Sequence, residues 1–173
     1  MALIKDRKRV TDNWQLLDAL TVGEDGSLPP LPAGDLIVPA SAWMRVRAQF
    51  IAREGRIGIW LSGAEEPRDI AGDLEHFGVI AVNFPSFTDG RGYSIGRLLR
   101  ERFGWTGELR AIGDIQRDQH FYLARCGFNA FALREGEDVD VALTAFADFS
   151  DGYQGSVEQP LPLFRRRELS THR

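Results

Sequence analysis

The sequence predicts an α/β fold: about five short parallel strands with intervening helices, preceded by an N-terminal hairpin. Three observations carry that prediction. Short apolar runs alternate with amphipathic stretches, and each strand–helix unit takes about 20 residues. The units are punctuated by helix start and stop signals, such as Pro67, Gly104, Gly127 and Asp138. The length of 173 residues, with 43% hydrophobic and 27% charged residues, suits one domain with its own core. Right-handed crossovers then give an open three-layer sheet or a partial β/α barrel. Five strands are too few for a complete eight-stranded barrel, and the open three-layer sheet is the preferred arrangement.

The elements follow in order. Residues 1–22 form a hairpin flap, with Leu3-Ile4 and Val10 to Trp14 flanking a charged turn at Asp6 to Arg9. Residues 23–35, which include GEDGSLPPLPAG, are too rich in Pro and Gly for an element interior and read as a loop. The body spans 36–149. Leu36 to Val38 is its first strand, and Ser41 caps a helix to Arg53 that carries Trp43, Val46 and Phe50 on one face. Ile57 to Leu61 is the second strand, and Pro67 to Phe77 a short helix with Pro in its first turn, where the missing N–H costs little. Val79 to Phe84 is the third strand. Ile95, Leu98, Leu99 and Phe103 have the spacing of an amphipathic helix, which Gly104 stops. Leu109 to Gly113 is the fourth strand. Asp114 caps a helix to Cys126, with Gly127 and Phe128 in a Schellman pattern. Ala130 to Leu133 is the fifth strand, and Asp138 caps the last helix, which buries Val139, Ala142, Leu143 and Phe146. Residues 150–173 read as an extended tail, because Pro160 and Pro162 oppose a helix.

Composition excludes several function classes. The net charge of −4 argues against nucleic acid as a partner. No apolar run approaches the ~20 residues of a membrane span, so no membrane partner is expected. MALIKDRKRV leads into no apolar signal core, and a reducing, cytoplasmic setting follows as the expectation. The single Cys126 excludes an intrachain disulfide and any all-Cys cluster, and the three His are far apart, so no metal site and no cofactor of the chain's own is expected. Cys126 reads as a core thiol, His120 as a surface residue and His76 as a helix C-terminal residue, which leaves a hydrolase triad without support. Of the 21 cations, 19 are Arg, an excess that codon bias accounts for; the functional reading is that Arg forks recognise oxyanions bidentately, and position rather than abundance decides between the two.

In an open α/β sheet, ligands bind beyond the carboxyl ends of the strands. The loop after the third strand, FPSFTDGRGYS, therefore supplies the candidate anion site: Arg91, Gly92, Tyr93 and Ser94 at a helix N-terminus. The competing reading is a capped turn held by Thr88 and Asp89. The glycines of Gly90-x-Gly92-x-x-x-Gly96 also touch on a dinucleotide fingerprint, one residue out of its usual spacing. After the fourth strand, Asp114, Arg117, Asp118 and Gln119 form a dense polar group. With Asp89 they make a supporting cluster, either as paired carboxylates or as a cap with an Asp–Arg pair. Gln119 lies on the apolar stripe of Ile115, Tyr122 and Cys126 and so needs hydrogen-bond partners, expected to be Asp or Arg side chains of the neighbouring loop. Phe121 to Ala124 is apolar around most of its helix, which implies a cover: a neighbouring helix or, in a homodimer, a second subunit.

Residues 84–134 resemble a bacterial family of unknown function. The similarity is carried by three blocks: Phe87 to Ser94; Leu98-Leu99-Arg100; and Gly113-Asp114 with Arg117-Asp118-Gln119 and Arg125-Cys126-Gly127-Phe128. Members are encoded beside assimilatory sulfite reductase and phosphoadenylylsulfate reductase genes, and are often labelled oxidoreductases on that neighbourhood. The resemblance implies a role in sulfur assimilation, with a small oxyanion or the sulfite reductase haemoprotein as partner. It assigns no catalytic residue. Two readings are carried forward: an accessory protein of sulfite reduction without its own redox centre, and a small oxidoreductase using a nicotinamide or flavin cofactor at the loop after the third strand.

Overall fold

The computed structural model describes residues 2–171; Met1, His172 and Arg173 lie outside them. Asp6 and Arg7 turn the chain first. Both have positive φ, 49° and 60°, as a two-residue hairpin turn requires, and they bring Lys5 opposite Lys8 between β1 (Leu3–Lys5) and β2 (Lys8–Val10). The second hairpin strand therefore ends at Val10 and does not continue to Trp14. The hairpin is no flap beside the body, because β1 also pairs with β8 (Ala130–Ala132) in the main sheet. Trp14–Leu16 is a separate strand, β3, parallel to β4 (Asp35–Pro39).

From there strand and helix alternate as the sequence predicts. Helix α1 spans Ala40–Ala52, one residue ahead of the predicted Ser41 cap, and is kinked at Val46. β5 (Ile57–Leu61) leads through a 3₁₀ segment, Pro67–His76, into β6 (Phe77–Phe84). Helix α2 (Arg91–Glu101) precedes β7 (Glu108–Gly113). A 3₁₀ turn, Arg117–Gln119, runs into the short α3 (His120–Arg125), which precedes β8. α4 (Val139–Thr144) is capped by Asp138, whose side chain accepts from the N–H groups of Asp140 and Val141. The tail is not simply extended. Leu163–Thr171 forms α5 directly after Pro162, because a proline outside or in the first helical turn blocks no hydrogen bond.

The sheet has eight strands in the order β2-β1-β8-β7-β6-β5-β4-β3 and curls into a half-barrel. Strands β3 to β8 are parallel and lie in chain order. With crossovers of one hand, that order puts every helix on the same face, so the arrangement is the partial barrel and not the three-layer sheet. The packing shows it directly. Trp43 and Phe50 of α1, Ile95 and Leu99 of α2, Leu123 of α3 and Val139 of α4 share one core with Leu36, Ile59, Ile80, Val82, Leu109 and Phe131. The opposite face is lined by strand residues alone: Ile37, Val79, Ala81 and Ile112, with Trp14, Leu16, Trp60 and Ala132 packed against them. The two edge strands, β2 and β3, are consecutive in the chain and joined by three residues, Thr11 to Asn13. Four Cα–Cα steps of 3.8 Å keep their facing ends within about 15 Å, so the sheet must curl and its helix-free face must be concave.

Candidate functional site

Side chains alternate across a strand, so the concave face is written at every second position. Val79, Ala81 and Asn83 of β6 lie beside Glu108, Arg110 and Ile112 of β7. Gly58 sits between Ile37 and Val79, where a Cβ would overlap the Val79 side chain. Low on this face runs a buried chain of charges. Arg110, 3% exposed, holds Asp12 through Nη1 and Nη2 (2.8 and 3.2 Å) and Glu108 through Nε (2.8 Å); Lys5 Nζ reaches the other oxygen of Glu108 at 2.8 Å. Two cations and two carboxylates compensate one another. The Arg110–Asp12 fork also ties the β2–β3 connector across to β7 and holds the curl.

Above that chain lies a cavity of about 500 Å³. Leu16, Ile37, Trp60, Ile112 and Ala132 make its apolar surface, and Asn83, Asp18, Arg134 and Glu135 its polar groups. It opens at the carboxyl ends of β6, β7 and β8, where α/β sheets place their ligands. The Trp60 indole N–H donates to the Leu17 carbonyl at 3.0 Å, which fixes the ring. Arg134 is paired with Asp114 (3.3 Å) and Glu137 (3.8 Å). None of these cavity residues except Asp114's neighbourhood was singled out by motif. The available signal was a charged Glu108-x-Arg110 pair and a lone Asn83 inside strands otherwise apolar on both faces.

The predicted anion loop lies at the rim. α2 begins at Arg91, four residues before the predicted start, so Ser94 is inside the helix and is not its cap. Asp89 Oδ1 accepts from the Arg91 backbone N–H (3.1 Å) and Nε (3.0 Å), and Oδ2 accepts from Nη2 at 2.7 Å. The Arg91 guanidinium holds the Asp89 carboxyl at about 2 and is itself pushed up. Asp89 thus sits where an external anion would meet Arg91 and the helix end. Gly92 and Gly96 are spent on packing, since a Cβ at either would overlap the ring of Phe84 or Phe128. That close approach of α2 to the sheet accounts for the glycine spacing without a nucleotide.

The supporting cluster forms in part. Gln119 Nε2 donates to the Phe87 carbonyl (3.0 Å) and the Tyr93 hydroxyl (3.1 Å), so it does join the two loops. Asp114 accepts from the Phe87 N–H at 3.3 Å. Asp114 is not a helix cap; Gln116 and Gln119 form that capping box. Arg117 turns away and grips Asp148 with both Nη atoms (2.7 Å each) and the Thr144 hydroxyl (2.8 Å). Asp118 is exposed and makes no hydrogen bond to this group. His120 is a second correction. It is fully buried between Phe131 and Phe146, with ring centroids 5.2 and 5.8 Å away. Burial lowers its pKa, and the Ala142 backbone opposes that shift. Cys126 is buried and desolvation pushes its thiol up, as for a core thiol. Among the described residues no group of three or more His, Cys, Asp and Glu is arranged to hold a metal ion, and no helix is long and apolar enough to cross a membrane.

Elsewhere, α3 and the segment between α4 and α5 expose aromatic rings. Tyr122 is 57%, Phe149 63% and Tyr153 65% exposed. Phe121 meets Phe149 at 5.0 Å and Tyr153 meets Phe164 at 6.5 Å, around grooves that share Arg125, Gly152 and Ser156.

A family model described as "Bacterial protein of unknown function (DUF934)" matches residues 58–164, more than half of the chain. The chain belongs to this family. The match runs from β5 to the first turn of α5, and so takes in the rim loops, the carboxyl ends of β6 to β8 and the exposed aromatic rings. No curated protein and no solved structure matches the chain.

Proposed function

We propose that the protein is an accessory of assimilatory sulfate and sulfite reduction that docks on the sulfite reductase haemoprotein and has no redox centre of its own. The observation that supports docking is the exposure of Tyr122, Phe149 and Tyr153 along two neighbouring grooves that share Arg125, Gly152 and Ser156. Aromatic residues dominate the energetics of protein interfaces, and exposed rings beside a groove suit a protein partner. The pathway rests on the resemblance of residues 84–134. Of the two partners that resemblance implies, the protein is favoured over the oxyanion, because Asp89 already engages Arg91 at the rim loop.

Two measurements test this. Deletion of the gene should slow growth on sulfate or sulfite, and cysteine should restore it. Purified haemoprotein should retain the wild-type chain in a pull-down and lose the Tyr122→Ser, Phe149→Ser, Tyr153→Ser variant, whose substitutions lie at exposed positions and whose folding is checked by its melting curve. Unchanged growth of the deletion strain, or undiminished capture of the variant, overturns the proposal.

A further inference from the structure

We infer that the concave cavity is a binding site for a small organic cation with an apolar body and a hydrogen-bonding edge. This goes beyond the docking role and does not depend on it, since the exposed aromatic rings belong to other elements. About 500 Å³ is within the range of small-molecule sites, which combine an apolar lining with a few directed polar groups. Here the lining is Leu16, Ile37, Trp60, Ile112 and Ala132. The directed group is Asn83. It is half-buried on the inner face at the end of β6, with Ile112 as its cross-strand neighbour, and its amide makes no hydrogen bond to any described residue. A half-buried amide in an apolar cavity leaves both a donor and an acceptor to offer a ligand.

Charge selects the sign. Arg110 is neutralised by Asp12 and Glu108, and Arg134 by Asp114 and Glu137. The unpaired charges at the cavity are Asp18 and Glu135, both exposed and without an ion pair among the described residues. A cationic group at this rim is favoured, and a carboxylate or sulfite is repelled. A probe with an indole ring has such an apolar body, and its N–H can donate to Asn83 Oδ1.

Tryptamine and indole-3-acetate share that body and differ in charge, so they are the probes. In ¹⁵N–¹H spectra of the intact protein, millimolar tryptamine should shift the Trp60 indole N–H and the Asn83 side-chain amide, and should bind at least about fivefold more tightly than indole-3-acetate. Asn83→Leu should weaken tryptamine several-fold. Asp18→Asn with Glu135→Gln, both at exposed positions, should remove the preference for the cation while indole itself still binds. No shift at Trp60 and Asn83 with either probe overturns the inference. So does equal affinity for the two probes, or a preference that survives Asp18→Asn with Glu135→Gln. Unchanged growth of the deletion strain would overturn the docking role and leave this inference in place.

Discussion

Replacing Arg110 tests how the sheet is held in its curl. In Arg110→Met the side chain keeps its bulk and loses its charge. Glu108, 6% exposed, keeps only Lys5, and Asp12, 22% exposed, loses its one ion pair. Removing one partner of a buried ion pair costs about 3–5 kcal/mol, because the stranded charge remains desolvated. For a chain of this size each kcal/mol moves Tm by about 2–4 °C, so a fall of about 6–20 °C is expected. The reasoning also predicts non-additivity. Asp12→Asn combined with Arg110→Met removes the stranded charge, leaves Glu108 paired with Lys5, and should be more stable than Arg110→Met alone. Because the fork ties the β2–β3 connector to β7, hydrogen exchange at β3 should accelerate more than exchange at β6. Calorimetry and exchange on the two variants decide it. A loss below about 1 kcal/mol, the value of an exposed pair, or a double variant less stable than the single one, would refute the argument.

Four further outcomes are expected. Arg100 donates to the carbonyls of Gly127 (2.9 Å), Trp105 (2.6 Å) and Gly107 (2.8 Å) and to Asn129 Oδ1 (3.2 Å); Arg100→Leu should cost at least about 2 kcal/mol in urea unfolding, and Arg100→Lys should not restore it, since an ammonium cannot reproduce the fork. Gly96→Ala drives a methyl into the Phe128 ring and should cost about 1–3 kcal/mol, read from the shift in denaturation midpoint. His120 has a folded pKa below its ordinary 6.5, so the unfolded chain binds the extra proton first; stability should fall as pH drops through about 6.5 toward the folded value, and His120→Phe should flatten that slope in a pH series of melting curves. Asp89→Asn releases Arg91 and the α2 N-terminus, so sulfate should stabilise the variant in thermal shift while leaving the wild type unmoved.

Much of the α/β body was legible because its signals are local. Apolar runs located β4 to β8, the Ile95–Leu99 spacing located α2, and Asp138 capped α4 as read. Gln119 was legible in part: a polar side chain on an apolar stripe needed a partner from the neighbouring loop, and it found the Phe87 carbonyl and the Tyr93 hydroxyl in place of the expected Asp or Arg side chains. Where local signals competed, the reading slipped. Pro162 suggested an extended tail, yet proline before a helix is harmless, and α5 starts beside it. Asp114 resembled a cap, but Gln116 and Gln119 satisfy that helix end reciprocally.

What the sequence determined by itself was the five strands of the body, the helical segments between them and their order, since these follow from periods of 2 and 3.6 residues and from turn chemistry; β3 and α5 lay outside that reach. The tertiary structure alone decided strand order, the curl and the cavity. The same alternation of strand and helix fits a doubly wound sheet or a singly wound one, because local patterning does not say which edge the next strand joins. That choice rests on pairings between distant residues, such as Leu3 with Ala132 and Arg110 with Asp12. His120 shows the same limit at one residue: nothing within its own helix places Phe131 and Phe146 around it, and only the packed sheet turns an apparent surface histidine into a buried one.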